Sequence, residues 1–275
     1  QFLKKKIKKK FLFTDNLEAN VSKKNSDLNI IISKSGSTLE TISNFHILLN
    51  RKRNSNNVFI TENNKNYLRK LAVKLKTDIL EHRNFIGGRY SVLSEVGMLP
   101  AELMGLNADK FKKFNLLIKN NNFVKNLILN VEAIYKYAKN GKSNSIILNY
   151  DANSENLFKW YQQLVAESLG KKSKGLLPIV SNMPKDNHSV MQLYLDGFKN
   201  NFFTFFYTKE LKSESLKNSQ ILSLQKFLKG KNLSNIMYAQ KIATEKVFHK
   251  KKLPFRSFEV KKRNEKTLGE LFCFF

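Results

Sequence analysis

The stretch Ile30-Ile31-Ile32-Ser33-Lys34-Ser35-Gly36-Ser37-Thr38-Leu39-Glu40-Thr41 decides the fold. The branched apolar residues read as a buried strand, the hydroxyls with one lysine and one glycine as a short loop, and the residues from Thr38 onward as a helix. Ser37 and Glu40 are spaced as a capping box, which places the helix N-terminus at the loop. Free backbone N–H groups and the positive end of the helix dipole favour an anion there. The loop hydroxyls add donors suited to phosphate oxygens. The G-x-x-x-x-G-K spacing of a Walker loop is absent. Because an ordinary capped helix uses the same residue types, this motif does not settle the function by itself.

Outward from it, strand-like blocks alternate with helical ones. Phe11–Thr14 and Leu28–Ser33 read as strands, Thr38–Asn50 as a helix, Val58–Thr61 as a strand, Tyr67–Leu75 as a helix and Asp78–Leu80 as a strand before a turn at Gly87–Gly88. The stretch Ala108–Lys139 is helical and polar. A second alternation comes after it: strand Ser145–Tyr150, helix Ser154–Leu169, strand Leu176–Val180, helix His188–Lys199, strand Phe202–Tyr207, helix Leu233–Lys250 and strand Phe255–Val260. Thr267 and Glu270 have the spacing of a further capping box. Such alternation predicts an α/β fold with mainly parallel sheets and helices on both faces, in two domains, 1–107 and 108–275. Ligands of open sheets lie beyond the carboxyl ends of the strands, where the informative residues are expected.

Three further constellations carry chemistry. In Asn84-Phe85-Ile86-Gly87-Gly88-Arg89-Tyr90-Ser91, two glycines allow close backbone approach or positive φ and fix an arginine able to stabilise an oxyanion. On the helix Ser154–Leu169, Leu157, Trp160, Tyr161, Leu164 and Val165 form an apolar stripe. Gln163 and Glu167, four apart, share a face at its edge, where semi-burial suits a carboxylate to act as a general base. Asp186-Asn187-His188-Ser189 places one of the four histidines at a loop-to-helix junction. Each also has an ordinary structural reading: a tight turn, a solvated helix face, a structural histidine.

Composition narrows the classes. The chain has 275 residues, net charge +27 and a single cysteine, Cys273, which excludes a disulfide framework and fits a reducing, cytoplasmic setting. No apolar run reaches the length of a membrane span. The charge suggests a polyanion partner, but only seven of the 49 basic residues are arginine, and lysine is spread along the chain with 33 asparagines. Nucleic-acid readers cluster arginine for its planar fork, so this pattern reads as compositional drift, of the kind an AT-rich genome imposes, and argues against a nucleic-acid partner.

In order, these segments resemble the glucose-6-phosphate isomerase family. Ile32–Thr41 is similar to its phosphate loop, Ile86–Ser94 to its Gly-Gly-Arg signature, and Gln163–Lys171 to its Q-x-x-x-E-S-x-G-K helix. Asp186–Ser189 with Gln192 resembles its histidine segment, and Thr267–Leu271 its T-x-G-E-L stretch. The resemblance implies two sugar-isomerase-type three-layer αβα domains that bind glucose 6-phosphate or fructose 6-phosphate between them, for a step of glycolysis and gluconeogenesis. Ser33, Ser35 and Thr38 would hold the phosphate with the Lys34 backbone. Glu167 would shuttle the proton through a cis-enediolate, Arg89 would stabilise it, and Gln163 would contact the sugar. His188 would assist ring opening from the neighbouring copy of a homodimer. No metal or organic cofactor is implied.

Glu95 stands where the family has a small residue or proline, close enough in sequence to compete for Arg89, and Val190-Met191 replace a common Leu-Gly. The family's upstream glycine-serine loop and its downstream lysine segment would fall before Gln1 and after Phe275, and no catalytic lysine is assigned. The expectation is therefore a fragment, weak or inactive alone. The alternative is a sugar-phosphate-binding module without catalysis, which has no need of Glu167 and His188.

Overall fold

Among the described residues of this computed structural model (1–17, 27–50, 56–209 and 213–275), every pairing between strands is parallel. Parallel neighbours require crossover connections, and these are helices. The chain divides into two units, Lys6–Ala108 and Asp109–Phe275 with Gln1–Lys5.

In Lys6–Ala108, strands β1 (Leu28–Ile32), β2 (Asn56–Glu62) and β3 (Asp78–His82) lie side by side in that order. Helix α1 (Leu39–Leu49) joins β1 to β2, α2 (Tyr67–Lys74) joins β2 to β3, and α3 (Glu95–Leu103) follows β3. Strands added in one direction by right-handed crossovers place their helices on one face. Accordingly Ile31, Phe59 and Ile79, aligned across the sheet, pack with Phe45 of α1 and with Leu68 and Ala72 of α2. Phe45 and Phe59 meet edge to face at 5.1 Å. Ile60 points to the other face and is equally buried, so both faces of β2 are covered.

Helix α4 (Ala108–Phe111) spans the boundary at Asp109, and the other unit continues with α5 (Phe114–Ile118) and α6 (Asn121–Lys139). Its sheet contains β4 (Asn144–Asn149), β5 (Leu177–Asn182), β6 (Asn201–Thr208) and β7 (Phe255–Val260) in the order β5-β4-β6-β7. The connections are α7 (Glu155–Leu169), α8 (Met191–Asp196) and α9 (Leu233–Lys250), and α10 (Glu265–Phe274) follows β7. The direction of strand addition reverses after β5, and constant handedness then puts α7 on one face and α8 with α9 on the other. Ile146, Leu148, Phe203 and Phe205 pack with Tyr194 of α8 and Phe248 of α9. On the opposite face Phe158 of α7 meets Phe206 at 4.8 Å, and Tyr137 of α6 meets Phe202 at 5.6 Å. All eight residues of β6, the strand between β4 and β7, are buried.

Polar groups tie the strand ends together. The Asp151 carboxylate, after β4, accepts two bonds from Arg263, at 2.8 and 2.6 Å, and one from Thr208 Oγ1 at the end of β6, at 3.0 Å. It also accepts from Ser154 Oγ and from the Asn153 N–H. The Arg263 guanidinium lies over the ring of Phe2, which brings the first residues of the chain onto this unit. On β7, Arg256 donates to Thr204 Oγ1 at 2.8 Å and to Asn130 Oδ1 of α6, and burial holds its pKa below the usual arginine value. Gly269 of α10 permits a close approach, because a Cβ there would stand 2.2 Å from the Phe111 carbonyl oxygen.

The structure corrects several expectations. Residues 11–14 form no strand, and Leu12 and Phe13 are exposed. The helix expected over His188–Lys199 is the short α8, whereas Ala108–Lys139 is helical as expected, divided among α4, α5 and α6. Helix α3 was not foreseen, since Gly97 and Pro100 interrupt its helical pattern. The Thr267–Glu270 capping box is absent: α10 starts earlier, with Asn264 as N-cap accepting from the Thr267 N–H at 2.8 Å. Among the described residues, no helix is long and apolar enough to cross a membrane.

Breaking a buried ion pair on one side leaves the other charge uncompensated. Asp151→Ala is therefore expected to lower the unfolding free energy by about 3–5 kcal/mol, read from urea denaturation. Adding Arg263→Met to Asp151→Ala should recover much of that loss.

Candidate functional site

The loop between β1 and α1 is built around Gly36. Its φ of +63° suits glycine, and a Cβ there would lie 2.0 Å from Asn66 Oδ1. Asn66 caps α2 by accepting from the Arg69 N–H, so the loop packs against a second helix N-terminus. The Ser37–Glu40 capping box expected from sequence is not formed. Thr38 is the N-cap, in extended conformation, and makes no side-chain cap bond; Ser37 Oγ instead donates to Ser35 Oγ at 2.9 Å. Ser33 Oγ and Thr38 Oγ1 lie 2.7 Å apart, with Ser33 buried and Thr38 exposed. Ser35 and Ser37 are also exposed. The first turn of α1 thus keeps its backbone donors clear of side-chain caps, beside exposed hydroxyls, as an anion site requires.

Lys34 turns inward. Its Nζ donates to the carbonyls of Asn84 at 3.0 Å and Ile86 at 2.8 Å and pairs with Glu62 Oε1 at 3.1 Å. The hydroxyl loop and the Gly-Gly-Arg turn are therefore tied together by this one ammonium. Gly87 has a negative φ of −64° and Gly88 is not among the positive-φ residues, so the turn does not need glycine for its backbone angles. A Cβ on Gly88 would meet nothing within 4 Å, which leaves the backbone bare on that side. Arg89 is half-buried, its guanidinium 4.8 Å from the ring centre of Tyr90.

One residue of this region, His82, has no signal in the sequence pattern. His82, at the end of β3, is 1% exposed; its Nε2 lies 3.1 Å from the Ile86 carbonyl oxygen and its Nδ1 contacts Glu95 Oε1. Glu95, expected as a competitor for Arg89, thus engages the imidazole. Strand β3 extends to His82 rather than ending at Leu80, which is why the histidine escaped notice.

In the other unit, Gln163 and Glu167 share a face of α7, with Gln163 Nε2 donating to Glu167 Oε1 at 2.9 Å. Both are exposed, so the semi-burial expected for Glu167 is not found; the stripe that faces the sheet is Leu157, Phe158, Tyr161 and Val165. Nor does Glu167 lie at a strand's carboxyl end. Helix α7 runs back along the sheet, and twelve residues from its start Glu167 is displaced about 18 Å along the axis. The position expected from strand ends is filled instead by the Asp151–Arg263 pair. His188 does follow a strand end, as the C-cap of a 3-10 turn, Lys185–Asn187, after β5. It is exposed, and Asp186 shapes the loop around it by accepting from the Asn182 N–H at 2.7 Å and from Ser189 Oγ at 3.1 Å.

The phosphoglucose isomerase family profile matches residues 15–181, which include the hydroxyl loop, the Gly-Gly-Arg turn and the Gln163–Glu167 pair. Glucose-6-phosphate isomerase of Methanocaldococcus jannaschii is 32% identical over 257 residues, 90% of this chain and 63% of that protein. The protein of the same name in Mycoplasmopsis pulmonis is 34% identical over 268 residues, 89% of this chain and 61% of its own length. Among solved structures, a hypothetical protein of Thermus thermophilus has a TM-score of 0.78 at 22% identity, over 89% of this chain and 63% of that one. A glucose-6-phosphate isomerase of Chlamydia trachomatis has a TM-score of 0.68 at 17% identity, over 89% and 52%. The chain spans about three-fifths of the length of these curated relatives. With more than half its residues matched by the profile, the chain belongs to the phosphoglucose isomerase family.

Proposed function

We propose that the protein interconverts glucose 6-phosphate and fructose 6-phosphate. The observation that carries this reading is the hydroxyl loop at an uncapped helix N-terminus, tied by Lys34 to the turn that bears Arg89. One unit thereby joins the means to hold a phosphate to the means to stabilise an oxyanion. Ser35 and Thr38 donate hydroxyl hydrogen bonds to the phosphate, Ser33 orients Thr38 from beneath, and the Lys34 segment contributes backbone. The phosphate is the handle, bound alike in substrate and product.

Glu167 removes the C2 proton of the open-chain aldose. The electron pair shifts to give an enediolate with its charge on O1, which the Arg89 guanidinium stabilises. The O2 hydroxyl proton passes to O1, the same carboxyl returns its proton to C1 as the electron pair from O2 closes the C2 carbonyl, and the ketose forms with no net gain or loss of protons. Gln163 holds one carboxylate oxygen of Glu167 through its amide and presents its remaining groups to the sugar. His188 assists ring opening and acts on the neighbouring copy of a homodimer. The setting is the cytoplasm. We assign the unit Lys6–Ala108 to the first sugar-isomerase domain and the remainder to the second.

In the natural gene product carrying this chain, fructose 6-phosphate isomerisation measured by a coupled assay should show turnover. Glu167→Gln is expected to lower kcat by about two to four orders of magnitude. Sugar-phosphate affinity should stay close to normal. An unchanged kcat would remove Glu167 from the base role; binding with no turnover in the unsubstituted protein would favour a sugar-phosphate-binding module.

Thr38→Ala should act on the other term. Losing a hydrogen bond to a charged group is expected to raise KM about tenfold to a hundredfold. Its kcat should change little, since the handle is bound alike in ground and transition states. A fall in kcat at constant KM would place Thr38 in the chemistry instead.

A further inference from the structure

We propose that His82 and Glu95 form a positioning unit that fixes the Gly-Gly-Arg turn by holding the Ile86 carbonyl; the role given to Arg89 here rests on the isomerase reading above. A carbonyl oxygen only accepts, and that of Ile86 receives Lys34 Nζ at 2.8 Å and His82 Nε2 at 3.1 Å. For Nε2 to donate, it must carry a proton. On the other side of the ring, Glu95 Oε1 faces Nδ1, and one proton lies between them whichever atom holds it. A carboxylate against one ring nitrogen sets the protonation and orientation of the imidazole, and so commits the other nitrogen to its partner.

Gly87 and Gly88 bring no side chains to anchor the turn. Tyr90 N–H bonds the Gly87 carbonyl at 2.9 Å and Ser91 Oγ the Gly88 carbonyl at 2.7 Å, which braces the turn internally. The Ile86 carbonyl, through His82, links it to the end of β3. Water cannot replace the imidazole, since His82 is 1% exposed. An apolar side chain at 82 would fill the space but could not hold the carbonyl. Lys34, paired with Glu62, donates to the same carbonyl, so holding that carbonyl also fixes the register between the turn and the hydroxyl loop.

The test compares His82→Leu, His82→Gln and Glu95→Leu in the natural gene product that carries this chain. His82→Leu keeps similar bulk and removes the donor. It is expected to lower kcat for fructose 6-phosphate about tenfold, with KM within about twofold, the signature of a group acting on the transition state. Amide exchange at Ile86 and Tyr90 should quicken about tenfold, with the amides of Ile31 and Phe59 unaffected. His82→Gln, which restores an N–H near the position of Nε2, should recover most of both losses. Glu95→Leu should shift both in the same direction, and the double Leu variant should be no worse than His82→Leu, because the two act together. Equal behaviour of the Leu and Gln variants, or faster exchange throughout Lys6–Ala108, would reduce the pair to core packing and overturn the proposal. So would unchanged kcat and exchange. If the unsubstituted protein turns nothing over, the isomerase reading falls, and exchange at Ile86 and Tyr90 alone decides whether the pair holds the turn.

Discussion

Parallel strand pairing governs both units, because it forbids hairpins and forces each strand to be followed by a helix that crosses back over the sheet. The consequences reach the candidate site. Loops leaving the carboxyl ends of strands run directly into helix N-termini, so the segment after β1 combines a strand exit, a sharp glycine turn and the positive end of α1 in a few residues. The same constraint sends α7 back along the sheet, which carries Gln163 and Glu167 far from the carboxyl end of β4.

A second theme is how the cations that turn toward the fold are used. Arg263 holds Asp151 between the ends of β4 and β6, and Arg256 joins β7 to β6 and α6. Lys241 of α9, 1% exposed, pairs with Glu245 at 3.0 Å and Glu259 at 2.5 Å. Lys34 holds two loop carbonyls. Each of these binds elements of the fold to one another, and none is part of a surface array. A net charge of +27 is thus a property of the exposed lysines, while the inward cations answer local demands for hydrogen-bond donors.

Most of the fold was legible in the sequence because its signals are local: apolar runs of strand length, helical stripes, and glycines at turns. Strands β1, β2 and β4 to β7 fall where the alternation puts them, within a residue or two. The failures have local causes too. Residues 11–14 have strand composition but form no strand, because pairing is decided by partners that sequence pattern does not name. Both capping boxes were misplaced by spacing alone, since Ser37 is drawn to Ser35, and Asn264 outcompetes Thr267 for the start of α10. Of the site, the individual segments were legible and their links were not. No periodicity reveals that Lys34 reaches residues fifty positions on, or that His82 and Glu95 meet.

These links bear on how a phosphate would be held. A chain so rich in lysine invites the expectation that lysine binds the anion, yet the lysine in the hydroxyl loop points away from it, toward Asn84, Ile86 and Glu62. Neutral donors are better suited to the task proposed here. Backbone N–H groups at a helix N-terminus are oriented by the helix itself and lose no side-chain entropy on binding, and the Ser33 bond orients the Thr38 hydroxyl in advance. An ammonium on a flexible stem would add attraction without fixing direction. Turned inward, the same ammonium sets the distance between the hydroxyl loop and the arginine turn, the distance on which the proposed placement of a phosphate-held hexose against Arg89 would depend. The charge that looks made for the ligand is more valuable as part of the frame.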